Sequence, residues 1–129
     1  MLGDWCEAGT VGEDHYRTPV GLTDTLVGMD ICAKAARVLA AAGREKGAAY
    51  AAVLREELRK AFRAAYVRGG ALSCDTQTAY AMALAYGGTD EDERAGAVAR
   101  LKELIAADGG HFRVGVLGGR VLFDVLAEA

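Results

Sequence analysis

The 129-residue sequence predicts an all-α chain of antiparallel helical hairpins packed in two layers, and three observations carry that expectation. Glycines close the apolar-periodic runs at Gly43, Gly69-Gly70, Gly87-Gly88 and Gly109-Gly110, where a helix C-cap needs them. Apolar side chains recur at three- and four-residue spacing, with no stretches of strict alternation, so no sheet is expected. Runs with a broad charged face alternate with runs almost free of charge.

Each element has its own warrant. Helix one runs from Leu22 or Asp24 to Ala42; the single proline, Pro19, precedes it, where proline is tolerated. Its charge is confined to a line at Asp30, Lys34 and Arg37. Helix two covers Glu45 to Val67, with one stripe of Tyr50, Val53, Leu54, Leu58, Phe62 and Tyr66 and an opposite side of Arg55, Glu56, Arg59, Lys60 and Arg63. Helix three, Thr76 to Tyr86, carries no charge at all. Helix four starts at a Thr89/Asp90 cap, with Glu91, Asp92 and Glu93 in the first turn where the helix dipole favours acids, and ends at Gly109-Gly110. Helix five begins near Gly119 or Arg120 and confines its charge to Arg120, Asp124 and Glu128. Helices one, three and five therefore read as inner, two and four as outer. The unit repeats about every 45–50 residues, which fits both an open solenoid and a closed toroid.

Composition narrows the function. Residues 1–129 make one domain with enough chain for a core, at 52% hydrophobic. A net charge of −3 argues against a nucleic-acid surface, and no apolar run is long enough to span a membrane. Met1 leads straight into Gly3-Asp4-Trp5, with no leader pattern, and Cys6, Cys32 and Cys74 form no paired motif, so reduced thiols in the cytoplasm are expected. His15 and His111 lie too far apart in the chain to suggest a metal site, and no cofactor is expected. The charge deficit belongs to residues 1–42, which hold six acids against three bases.

Trp5, the only tryptophan, lies in the glycine-bounded, acidic stretch Gly3-Asp4-Trp5-Cys6-Glu7-Ala8-Gly9. A flat aromatic beside carboxylates is what a sugar subsite needs; a tryptophan stapling a tail onto the core is the alternative. The acids Asp4, Glu7, Glu13 and Asp14 read as solvated loop residues, any two of which could lie close. His15 reads as a loop residue or a substrate contact. His111 either faces a ligand or caps helix four, and Gln77 binds either a hydroxyl or a neighbouring loop. Cys74 has no evident base and is no nucleophile.

The order Gly3-Asp4-Trp5, Thr18-Pro19, Leu22-Thr23, Ala61-Phe62, Gln77-Thr78-Ala79-Tyr80 and His111-Phe112-Arg113-Val114-Gly115-Val116-Leu117-Gly118 resembles the bacterial α-L-rhamnosidases of glycoside hydrolase family 78. The likeness runs over essentially the whole chain. It implies a partial (α/α)6 barrel, to which this chain supplies about five of twelve helices. It also implies inverting hydrolysis of terminal α-L-rhamnosides by the full-length family, with a rhamnose-containing carbohydrate as ligand. By the same resemblance Trp5 faces the sugar, Asp4 is an acceptor beside it, and His111 is a further contact. Thr25-Leu26-Val27-Gly28 and Val116 depart from the family's aromatic positions.

The family's general acid lies upstream of Gly-Asp-Trp and its general base downstream of the Gly-Leu-Gly tail, so no catalytic residue is assigned within residues 1–129. The implied activity is that of a glycosidase part that alone hydrolyses nothing and self-associates through exposed inner helices. The alternatives are a non-catalytic helical interaction or sugar-binding module and an unrelated helical repeat adaptor.

Overall fold

A computed structural model describes residues 3–8 and 16–129. The elements run α1 (Val20–Ala41), α2 (Glu45–Tyr66), β1 (Val67–Arg68), β2 (Ala71–Leu72), α3 (Gln77–Tyr86), α4 (Glu91–Ala107) and α5 (Val116–Ala127). Helix α3 is flanked by α1 on one side and α5 on the other, α2 packs along α1, and α4 packs on α3. Two layers of helical hairpins result, with α1, α3 and α5 inner.

Uncharged α3 is the centre of the packing: eight of its ten residues, Gln77 to Leu84, are buried. Thr76 caps it by accepting the Ala79 amide at 3.2 Å, and Gly87 ends it with φ 78°. Around it gather Leu22, Leu26 and Met29 of α1, Phe62 of α2, Leu101 of α4 and Leu122 of α5. In the outer layer Arg63 forks onto Glu93 with two 2.8 Å bonds, while the Glu93 carboxylate accepts the Asp90 amide at 2.8 Å. This capping box starts α4 and also ties it to α2.

Three boundaries depart from the sequence reading. Helix α1 begins at Val20, because the Pro19 carbonyl accepts from Leu22 and Thr23 and so opens the first turn. The glycines expected only to stop α2 turn the chain instead: Gly69 and Gly70, at φ 58° and 82°, join β1 to β2 with Val67 opposite Leu72. Two consecutive left-handed residues are the geometry of a tight hairpin. Helix α5 starts at Val116, ahead of the expected Gly119, for a reason that lies at the other end of the chain.

The stripe expected to bury α2 is only partly used. Phe62 is buried, but Tyr50, Val53 and Leu54 are exposed. In the first half of α2 the buried residues are Ala48 and Ala51, small enough for close approach to α1, so the bulkier neighbours point outward.

Candidate functional site

The inner helices start at one end of the molecule, and the segments leading into them meet there. Residues 3–8 meet the start of α5 through Asp4. Its carboxylate is fully buried and accepts the Gly115 amide at 2.7 Å, Leu117 at 2.8 Å and Gly118 at 3.1 Å, together with the Thr78 hydroxyl of α3. A helix N-terminus offers amides with no internal partner and a favourable dipole for an anion. Asp4 is thus the cap of α5, and it explains why that helix begins at Val116.

Four donors fill the acceptor capacity of one carboxylate. Asp4, expected as an acceptor beside the sugar, is therefore engaged within the chain and acts by position. Neither Asp4 nor Glu7 is the solvated loop acid that the sequence suggests. Glu13, Asp14 and His15 lie outside the described residues.

The contact tolerates only glycine at Gly115, where an added Cβ would overlap the Trp5 carbonyl and come within 2.6 Å of the Asp4 carbonyl. At Gly118 a Cβ would meet the Thr78 hydroxyl at 2.6 Å. The result is that Trp5 is fastened by its backbone and bare at its ring. Its carbonyl accepts the Val116 amide at 2.7 Å, yet the residue is 60% exposed. Cys6, which follows, sits at φ 61°, a left-handed conformation uncommon for a side-chain-bearing residue.

Glu7 returns inward and is 3% exposed. Burial raises its pKa, and the Asp4 charge adds to that, while the Arg17 charge and backbone amide pull the other way. Glu7, Arg17, Gln77, Asp108 and Arg113 line a cleft of about 120 Å³ at this end. Gln77 fastens the loop into α5: its amide nitrogen donates to Asp108 (2.9 Å) and to the His111 carbonyl (3.1 Å), and its oxygen accepts the Arg113 amide (3.0 Å). Of its two expected roles, the loop bond is the one present. His111 is exposed, its carbonyl anchored by Gln77.

The structure thus brings Asp4 and Trp5 to the start of α5 and places His111 on the loop leading into that helix. Thr78 and Gly115, which hold Asp4 in place, stand in the family-like stretches of the sequence, but nothing local in the sequence assigns them this role. A helix with no acceptor of its own at the N-cap, as at Gly115, leaves amides that a distant carboxylate can satisfy. Cys74 is half-buried; burial raises its thiol pKa, the opposite of what a nucleophile requires. No helix is long and apolar enough to cross a membrane among the described residues.

Comparison with known proteins adds identity. Residues 1–129 match the family described as the bacterial alpha-L-rhamnosidase 6 hairpin glycosidase domain. An alpha-L-rhamnosidase of Formosa agariphila is 36% identical over 133 residues, which covers 98% of this chain and 14% of that protein. The crystal structure of Streptomyces avermitilis alpha-L-rhamnosidase complexed with L-rhamnose superposes with a TM-score of 0.86 at 31% identity, over 98% of this chain and 12% of that one. The alpha-L-rhamnosidase structure from Dictyoglumus thermophilum gives 0.87 at 25% identity, over 98% and 14%. That of Aspergillus terreus, at 20% identity, shares the fold with a TM-score of 0.87, over 98% and 15%. The chain spans about one seventh of the curated relative.

Proposed function

Because this chain belongs to the bacterial α-L-rhamnosidase six-hairpin glycosidase family, we propose that it forms part of a barrel that hydrolyses terminal α-L-rhamnosides with inversion, and that alone it hydrolyses none. The observation that carries the reading is Trp5, an exposed ring on a backbone pinned by Val116, beside a buried Asp4 that has no reach to the ligand. A plate so held offers a sugar ring an apolar face without the entropy of ordering a loop. His111, exposed on the loop into α5, supplies a hydroxyl contact.

Inverting hydrolysis needs one carboxylic acid for the leaving oxygen and one carboxylate to activate water, roughly 6.5–9.5 Å apart. Asp4 and Glu7 are both buried, and four donors of the chain already occupy the Asp4 carboxylate. Asp108 is paired with Arg113 and Gln77. No described acid of this loop end is poised for either role, which supports residues 1–129 as a fragment of the barrel.

Apolar side chains exposed at Ile31, Val38 and Phe123 favour self-association, and with it the second reading, a non-catalytic interaction or sugar-binding module. Cytoplasmic placement rests on the free thiols of Cys6, Cys32 and Cys74. Titration of the purified chain with L-rhamnose, followed by the fluorescence of its single tryptophan, tests the sugar-facing role; a spectrum unmoved at saturating sugar would remove it. An aryl α-L-rhamnoside tests the rest. Turnover above buffer that vanishes on Glu7→Gln would place a catalytic acid inside the chain.

A further inference from the structure

The segment that carries Trp5 is held at two places of different character. At Asp4 the carboxylate meets donors of the chain, three amides of α5 and its approach and the Thr78 hydroxyl. At Glu7, on the other side of Trp5, the carboxyl is nearly as deeply buried, but its surroundings carry charge of both signs. Each segment packed around it contributes. Arg17, ahead of α1, brings a cation and a backbone amide, and Asp4 brings a like charge from the same loop. Cys74 and Asp75 lie on the approach to α3, Asp108 at the end of α4, and Arg113 on the approach to α5. Several of these are already committed. Arg100 holds Asp75 through both carboxylate oxygens, and Arg113 donates to Asp108 at 2.8 Å. Among the described residues that leaves Arg17 to balance Glu7, and Arg17 is exposed, where water weakens the attraction. The cleft of about 120 Å³ that Glu7 borders has room for water and so for proton exchange with solvent.

From this arrangement we infer that Glu7 is a positioning residue for Trp5 and works as a proton-operated latch: neutral, it seats residues 3–8, and ionised, it loosens them. Burial disfavours the ionised carboxyl most, the Asp4 charge adds to that, and Arg17 offsets part of both. A carboxyl group whose pKa is raised by seating favours the seated loop once it is protonated. That contribution is fully present below the ordinary value of 4.5 and is lost as pH rises through the raised value. The Trp5 ring is therefore held best in mild acid, while the contacts of Asp4 and the Trp5 carbonyl keep the loop attached at higher pH. The latch stands on contacts made among the described residues. Only its consequence for a sugar rests on the reading of Trp5 given above.

Fluorescence anisotropy of the single tryptophan, recorded on the full 129-residue chain without sugar, from about pH 8 to about pH 4, tests the latch. Anisotropy is expected to rise as pH falls, with a midpoint above 4.5, while the helix content measured by circular dichroism stays constant. Glu7→Gln, neutral and of the same shape, is expected to keep the high value throughout and to lose the midpoint. Arg17→Gln removes the offsetting charge at an exposed position and is expected to shift the midpoint to higher pH. A flat wild-type profile, or one that merely follows helix content, overturns the latch. So does a slope that survives in Glu7→Gln, which assigns it to another group such as His111, and so does a midpoint that Arg17→Gln leaves in place. Rhamnose binding is measured separately. A profile of the expected form with no sugar bound at any pH keeps the latch and removes the sugar-facing reading.

Discussion

Helix α5 meets its surroundings in two opposite ways. At its N-terminus a polar contact is buried and complete: one carboxylate, three amides and a hydroxyl, with no acceptor capacity left. Along its outward side an apolar surface lies open, with Phe123 exposed and joined only edge-on to Phe112 at 5.3 Å between ring centroids. Burial of polar groups is tolerated where every partner is supplied by the chain itself, whereas exposed apolar side chains stand open to a neighbour. The first contact is therefore a device of the fold, and the second is a surface the described residues leave open.

The sharpest way to break that contrast is Asp4→Ala. It leaves three amides and a hydroxyl without their charged acceptor in a buried place, and an expected loss of roughly 3–5 kcal/mol follows. Urea denaturation monitored by circular dichroism measures it. A loss below about 1 kcal/mol would mean that water replaces the carboxylate and that the contact is not a fold device.

Gly115→Ala attacks the same contact from the α5 side. The added methyl overlaps the Trp5 carbonyl and crowds the Asp4 carbonyl, so a loss of about 2 kcal/mol is expected, within the range for overpacked sites. Because Trp5 is the only tryptophan, its emission reports whether the loop has been displaced.

A polar contact of the outer layer gives a smaller and pH-dependent effect. The Arg63 fork, then the Asp90 amide, hold the Glu93 pKa down to about 2, against an ordinary value of 4.5. A depressed folded-state pKa contributes stability that is fully present above pH 4.5 and is lost as pH falls toward 2. Wild type is thus expected to exceed Glu93→Gln by about 1–2 kcal/mol at pH 7, with the gap closing between pH 4.5 and 2. A gap that is flat over this range would assign the difference to packing.

Smallest of all is Trp5→Ala, one residue from Asp4. Its ring is exposed, so stability is expected to change by no more than about 0.5 kcal/mol. Thermal unfolding compared with Asp4→Ala sharpens the contrast between neighbours. A large loss at Trp5 would return the residue to the role of a staple.

These same contacts show why some features were legible in the sequence and others were not. Helices α3 and α4 carry their signals locally: Thr76 caps one, Glu93 reaches back to Asp90 in the other, and glycine ends α3. Their boundaries could be read to within two residues. The start of α5 could not, because its cap comes from Asp4, more than a hundred residues earlier, and Gly115 itself offers no acceptor. For the same reason Asp4 looked like a loop acid. Gly69-Gly70 was ambiguous in a different way, since paired glycines serve a helix stop and a tight hairpin alike. The outward half of the α2 stripe misled because periodicity marks an apolar side without saying whether Ala48 and Ala51 or Tyr50 and Val53 face the neighbour.

The pairing of Asp4 with the start of α5 also sets an order in time. During synthesis Asp4 leaves the ribosome long before Val116 exists, so the carboxylate waits without its helix while α1 to α4 emerge. A twelve-residue helix is marginal by itself, and α5 gains both its nucleus and its packing only on reaching α3 and Asp4. Residues 3–8 and α5 therefore become ordered together, and the loop that presents Trp5 takes its final form only when α5 docks.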